Sequence, residues 1–225
     1  MGKIILITQA NDRRGALIAS EVSGNETVVY AGMPDRHGAN LDKALEMEQY
    51  AEATDLDLRP IVLDLATRRH ASEVIRKIVD DHGRIDVIVH RSNGKLASKQ
   101  PAPGNFEEFE NELQDAESVR DLLFPTLCHQ KYGLLIWIAG DQVVMDAIAA
   151  EYAAELEIHG VETTIITPPN VPSRIAALDI AGSPELVGDM SGDIELAEAI
   201  SRIINLPDGR RPKQIDFEMA SLLFE

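Results

Sequence analysis

One pattern recurs along the whole chain. A short apolar run suited to a strand is followed by a stretch whose apolar residues fall at helical spacing. Lys3–Thr8 reads as a strand and Gly15–Val22 as a helix. Glu26–Ala31 is the next strand, and Asn40 is placed to cap a helix carrying Leu41, Ala44 and Leu45. Arg59–Leu65 is a third strand. Val74, Ile75, Ile78 and Val79 make one face of the following helix, and Gly83 closes it as a left-handed cap. Ile85–His90 is a fourth strand, apolar almost throughout, as strands covered on both faces are. Phe106 to about His129 is helical, Leu134–Ala139 a strand, and Val143–His159 a helix ended by Gly160. Val161–Thr167 is a strand, Pro168 to Gly192 irregular, Ile194–Ile204 helical and Lys213–Phe217 a last strand. Right-handed crossovers between such units give an α/β fold: a doubly wound parallel sheet of about seven strands with helices on both faces. No linker, charge block or low-complexity segment interrupts the rhythm, so residues 1–225 are read as one domain.

Composition narrows what such a sheet can serve. Net charge is −17, from 21 basic and 38 acidic residues, which argues against nucleic acid and anionic membrane as partners. The single cysteine, Cys128, excludes an internal disulfide; beside Leu127 on a helix it reads as a buried, inert thiol. No apolar stretch reaches the ~20 residues of a membrane span, and the first strand begins at Lys3 with no leader before it, so a cytoplasmic location is expected. The six histidines have no metal-ligand spacing, and no Gly-x-Ser-x-Gly elbow is present. The run "FEEFENELQDAE" spreads its carboxylates over several helix faces and reads as a solvated surface.

Ligands of doubly wound sheets bind beyond the carboxyl ends of the strands. The loops after Thr8, Ala31, Leu65, His90, Ala139 and Thr167 are therefore where function is to be sought. The first of them runs "TQANDRRG", Thr8 to Gly15, from strand to helix. Loops in this place cradle phosphates at a helix N-terminus and need glycines for the tight turn and the close approach. This one offers Gly15 alone.

The stretches "DLDLRPIVLDLATRRHASEVIRKIVDDHGRIDVIVH", "GLLIWIAGDQVVMDAIAAEYAAELEIHGVETTIITP" and "AEAISRIINLPDGRRP" are similar in order and spacing to the short-chain dehydrogenase/reductase superfamily. The resemblance covers nearly the whole chain and implies a Rossmann-like fold, a nicotinamide dinucleotide and hydride transfer. The family's TGxxxGxG loop falls on Thr8 to Gly15, where only Thr8 and Gly15 match. Gln9 and Arg13 replace the other two glycines, and Asp12 puts a negative charge where a diphosphate should sit. Arg13 and Arg14, with Arg36 after the second strand, are placed to meet the phosphate of NADP through charge-assisted bonds. Otherwise they are solvated arginines on an acidic protein. Asp64, followed by Leu65, matches the position that holds the adenine amino group in the family, and reads equally as a turn or helix-capping aspartate.

After the fourth strand the family has NNAG or a variant such as HNAG. His90 fits the variant, but Arg91, Ser92 and Asn93 replace the next three residues, and Arg91 is bulky against the turn that normally meets a ribose. The family's serine, tyrosine and lysine follow its fifth strand. Here Ala139 and Gly140 stand in the serine region, Gln142 falls where the lysine should be, and the segment that should carry the tyrosine is missing. Tyr30, Tyr132 and Tyr152 are poor substitutes, and Asn111 is too early for the family's helix asparagine. General acid–base groups contribute roughly 10²–10⁴-fold each, so the expectation is a chain without catalytic residues and with no cofactor or weak NADP. The cofactor residues, if retained, are Thr8, Arg13, Arg14, Gly15, Arg36, Asp64, Leu65 and His90. An NADP-dependent oxidoreductase with a rebuilt site and a non-catalytic NADP sensor remain the alternatives.

The family resemblance also implies assembly through the helices at 106–129 and 143–159. The second carries Ala147, Ala149, Ala150, Ala153 and Ala154 around most of its circumference, where a surface helix would show a clear polar face. A homo-oligomer, or a hetero-oligomer with a related subunit, is expected there.

Overall fold

The computed structural model describes residues 2–24, 26–91, 106–138, 143–168 and 191–216. The elements alternate along the chain: β1 (Lys3–Ile7), α1 (Arg13–Val22), β2 (Thr27–Met33), α2 (Leu41–Thr54), β3 (Asp57–Val62), α3 (Arg68–His82) and β4 (Val87–Arg91). There follow α4 (Phe106–Gln130), β5 (Leu134–Ile138), α5 (Val143–Ile158), β6 (Glu162–Thr167), α6 (Ser191–Asn205) and β7 (Gln214–Asp216). The strands form one seven-stranded sheet in the order β3-β2-β1-β4-β5-β6-β7. Every pairing is parallel. The expected doubly wound α/β sheet is thus observed.

Strand alternation explains the layers. Ile5 and Ile7 of β1 point to one face, and Ile4 and Leu6 to the other, all buried. The first face is covered by α1, α2 and α6, through Ile18, Val22, Ala44, Met47, Ile200 and Ile203. The second is covered by α3, α4 and α5, through Ile75, Ile78, Leu123, Leu127, Tyr152 and Leu156. β5 has no exposed position; Leu134, Ile136 and Ile138 join the first face, Leu135 and Trp137 the second. Among the described residues no helix is long and apolar enough to cross a membrane.

Element ends differ from the sequence expectation for local reasons. Asn40 sits at the N-cap of α2, but its side chain makes no capping bond. The preceding turn is held instead by Asp35, whose carboxylate accepts from the N–H groups of His37, Gly38 and Ala39. β2 runs on to Met33, past the expected Ala31, and Tyr30 lies in mid-strand. Its hydroxyl meets His82 Nε2 at 2.8 Å and accepts from Arg59 Nη1 at 2.9 Å. β3 stops at Val62, before Asp64, where the chain turns into α3. α6 begins at Ser191, ahead of the expected Ile194. Gly83 holds the left-handed conformation expected of it, and Gly160, expected to end its helix, has the same φ of 77°.

Gly15 is fixed by space. A Cβ there would lie 2.7 Å from Ala10 Cα and closer still to the Gln9 carbonyl oxygen, so α1 leaves β1 at a distance only glycine allows. Gly15→Ala is therefore expected to lower stability by roughly 2–3 kcal/mol, as overpacking does. For a domain of this size that is a fall of about 4–12 °C in melting temperature. An unchanged thermal melt would show that α1 can move away freely.

Candidate functional site

The strand order reverses between β1 and β4, the neighbours at the centre of the sheet. Their carboxyl ends form the crevice where a doubly wound sheet takes its ligand. Backbone bonds from Thr8 N to the Val89 carbonyl (3.0 Å) and from Ala10 N to the Gly32 carbonyl (2.7 Å) guide the chain across it. A Cβ at Gly32 would lie 2.7 Å from the Ile7 carbonyl oxygen, so this glycine too is required by a close approach.

Beneath the crevice lie two buried polar residues from adjacent strands. Thr8 Oγ1 and His90 Nδ1 are hydrogen-bonded at 3.0 Å. The His90 ring meets Trp137 edge to face, with centroids 4.6 Å apart. Complete burial, with the Arg91 charge adding to it, pushes the His90 pKa down to about 3. The imidazole is neutral at physiological pH and ties β1 to β4 rather than exchanging protons.

The wall of the crevice is an ion pair. Asp12 is the N-cap of α1, and its Oδ1 accepts from Gly15 N at 2.8 Å. Arg91, at the end of β4, reaches across and grips the same carboxylate with both terminal nitrogens. Nη1 is 2.7 Å from Oδ1, and Nη2 bonds Oδ2. Bidentate pairing of this kind is among the stronger polar contacts a protein makes. Burial acts to raise the Asp12 pKa, but hydrogen bonding and charge from Arg91, with help from Gly15 N–H and Arg14, outweigh it and leave the carboxyl below its ordinary value. A helix N-terminus and a guanidinium are the parts from which phosphate sites are made. Here they converge on the chain's own carboxylate.

The other residues expected to hold a cofactor are dispersed. Arg14 pairs with Asp193 in the first turn of α6, Nε to Oδ1, at 2.6 Å. Arg36 pairs with Glu48 of α2 and donates from Nη1 to the Pro60 carbonyl at 3.1 Å. Arg13 is exposed and makes no ion pair among the described residues. Asp64 has the turn role: it accepts from Ala66 N at 3.1 Å and from Thr67 Oγ1 at 2.8 Å, leading the chain into α3. Leu65 is buried in the core against the α3 side.

Ala139, Gly140, Gln142, Ser92 and Asn93 lie outside the described residues. So do the side chain of Asn111 and most of the irregular stretch after Pro168. The three tyrosines considered as substitutes are all described. Tyr152 is only 7% exposed, packed edge to face on Phe124 and Trp137. Tyr132 precedes β5, at the amino edge of the sheet, and Tyr30 lies under α3 with His82. None reaches the crevice. Among the described residues no cluster of three or more His, Cys, Asp or Glu could hold a metal.

The Asp12–Arg91 pair is the feature that sequence reasoning missed. Asp12 and Arg91 are each conspicuous as a charge in a loop that should be small and neutral. The available signal was their opposite sign in loops after two strands that this topology makes neighbours.

The architecture is that of the short-chain dehydrogenase/reductase fold. A metagenomic short-chain oxidoreductase solved with NADP superposes with TM-score 0.69 at 16% identity, over 95% of this chain and 96% of that one. A β-ketoacyl-[ACP] reductase from Bacteroides thetaiotaomicron gives TM-score 0.73 at 18% identity, over 100% of both chains. An alcohol dehydrogenase from the archaeon Thermococcus sibiricus, complexed with 5-hydroxy-NADP, gives 0.67 at 17% identity, over 96% of each. No protein-family model and no curated protein matches the sequence.

Burial of His90 makes a prediction about pH. In the unfolded chain a histidine takes its proton near pH 6.5, whereas folded His90 does so only near about 3. Between these values the unfolded state binds the extra proton. The stability is fully present above pH 6.5 and declines as pH falls, by on the order of 1 kcal/mol per pH unit. His90→Asn, which keeps a polar partner for Thr8, should flatten this slope in urea unfolding between about pH 6.5 and 4.5. Equal slopes in the two proteins would assign the acid sensitivity elsewhere.

Proposed function

We propose that this chain is a divergent short-chain dehydrogenase/reductase, a single domain of residues 1–225, that no longer transfers hydride and acts through binding or assembly. Its expected location is the cytoplasm. The observation that carries the reading is the closed anion site at α1. Arg91 and Gly15 N–H, the groups placed to meet a diphosphate, both bind Asp12. The sequence supports it independently, since the serine, tyrosine and lysine positions and two loop glycines are all replaced or missing. Each charge-assisted bond lost to a phosphate removes about 1.5–3 kcal/mol, and each 1.4 kcal/mol is tenfold in affinity. Two such losses take a micromolar site to roughly millimolar. Purified protein with NADPH and a panel of aldehydes and ketones should show no oxidation above blank, and neither NAD nor NADP should raise its melting temperature at sub-millimolar concentration. Saturable turnover at an ordinary reductase rate would instead establish an NADP-dependent oxidoreductase with a rebuilt site.

One observation favours a second reading. Arg13 is exposed on the first turn of α1 and makes no ion pair among the described residues. A protein that binds NADP without turning it over would use it for the ribose phosphate. Stabilisation by micromolar NADP, abolished by Arg13→Ala, would establish that sensor.

We place the assembly surface on α4 and α5, with a second copy or a related subunit as partner. On α5, Ala149 is buried in the core, while Ala150 and Ala154 are exposed. A shallow groove of about 400 Å³ between these two helices is lined by Arg120, Asp121, Phe124, Pro125, Cys128 and Glu155. The groove carries both signs of charge. Within the chain Arg120 already pairs with Glu155 and Asp121 with Arg68, so it is the exposed alanines that a two-fold axis would bring near their own copies. Ala154→Glu should convert a dimer into a monomer in light scattering at tens of micromolar. A monomeric parent protein that captures no relative from its source cell would remove this part of the proposal.

A further inference from the structure

The outer edge of the sheet at β3 is closed to pairing. β3 is the last strand on its side and pairs only with β2. A strand turns the backbone groups of alternate residues to opposite sides. The bond from Leu63 N to the Met33 carbonyl fixes the phase. Residues 57, 59 and 61 face β2, and Leu58, Pro60 and Val62 turn their backbone groups outward. Leu58 and Pro60 have no donor to offer there. Leu58 N–H is taken by the Leu56 carbonyl at 3.1 Å, and Pro60 has no N–H. The Pro60 carbonyl is covered as well. It accepts from Arg36 Nη1 at 3.1 Å, and Arg36 is held in place by Glu48 of α2. Arg36 thus reaches from the loop after β2 to the outer side of β3.

We propose that the β3 edge is a latent pairing surface for a second copy of this chain, and that Pro60 and the Arg36–Glu48 pair are the guards that keep it shut. An open strand edge is a template for another edge unless something blocks it. A second copy is the partner because two identical strands pair antiparallel about a two-fold axis. An axis through residue 60 sets Leu58 of each copy against Val62 of the other. That register calls on both backbone groups of residue 60, of which one is absent and the other occupied. With Leu58 N–H also engaged, only the bonds donated by Val62 remain open. The proposed dimer through α4 and α5 stays a dimer only while no second two-fold contact joins it to another.

The double variant Arg36→Ala/Pro60→Val tests this. It restores the missing donor, uncovers the carbonyl and places a good strand former at the edge. Native protein, both single variants and the double variant are compared by sedimentation velocity up to tens of micromolar, with amide hydrogen exchange measured alongside. The expected result is a doubling of mass for the double variant over the native species, with slower exchange across residues 58–62 than in Pro60→Val. Each single variant keeps the native mass, because half of the residue-60 pair is still blocked. A monomeric native protein changes the starting mass and leaves the comparison intact. A folded double variant of native mass overturns the proposal. Association without slower exchange across residues 58–62 places the contact elsewhere and overturns it too. Association of Pro60→Val alone removes Arg36 as a guard, and association of Arg36→Ala alone removes Pro60. If the double variant does not fold, these residues hold β3 in the sheet rather than guard its edge, and the proposal is equally overturned.

Discussion

Burial of the central strands on both faces governs everything else in this molecule. β1, β4 and β5 lie between two helical layers, and nearly every residue in them is inaccessible to water. A polar side chain at such a position must bring its own partner. The strands therefore leave chemistry to their ends, where backbone groups run out of ladder partners. At the amino ends, Asp86 accepts from Ile4 N at 2.8 Å and from Arg84 Nε. Arg84 also donates to the Gly2 carbonyl at 2.7 Å. At the carboxyl ends, Thr8 and His90 satisfy each other below the surface, and Asp12 and Arg91 do so at its rim. The two ends are solved by the same device, a short internal polar network. Only the carboxyl end has a helix N-terminus feeding into it from β1.

Charge decides what that end can accept. The protein carries 38 acidic against 21 basic residues. Beyond a Debye length of about 8 Å at physiological salt, this excess is largely screened, so the local pairing matters more than the total. Locally the arginines are engaged. Arg14, Arg36 and Arg91 each hold a carboxylate within ion-pairing distance. An excess of acid makes this outcome natural, since each guanidinium near the crevice finds an internal partner before it meets a ligand. Among the described residues Arg13 makes no ion pair, and it is exposed, where a single contact to a phosphate is worth least.

The succession of strands and helices and the parallel sheet were legible because they rest on periodicity, which is local. Ile4–Ile7, Val87–Val89 and Leu134–Ile138 are apolar at consecutive positions, and no other sheet environment tolerates that. Ends were less legible because competing partners set them. Asn40 has the right chemistry for a cap yet makes no capping bond, and β2 outruns the expected Ala31 because the pairing with β3 continues to Met33 and Val62. Gly15 was legible as the one glycine of its loop, whereas its packing against Gln9 and Ala10 needed the structure. The Asp12–Arg91 contact spans 79 positions and two loops. It is invisible to any window along the chain and appears only when the strand order is known. Arg14 and Asp193, 179 positions apart, are hidden in the same way.

The paired charges also limit how this site can change. Removing Arg91 alone leaves a half-buried carboxylate with one N–H partner, and removing Asp12 alone leaves a mostly buried guanidinium without an anion. Either step leaves a desolvated charge uncompensated, which costs more than the pair contributes in net terms. A glycine restored at Gln9 or Arg13 relieves crowding but leaves this electrostatic lock in place. A neutral hydrogen-bonding residue at position 12 does the reverse: it removes the charge while the loop keeps its bulk. Sterics and charge are therefore separable barriers at one site. The charge barrier is held by a single side chain, whereas the steric one is distributed over the loop from Gln9 to Arg13, so the two must be lifted by different substitutions.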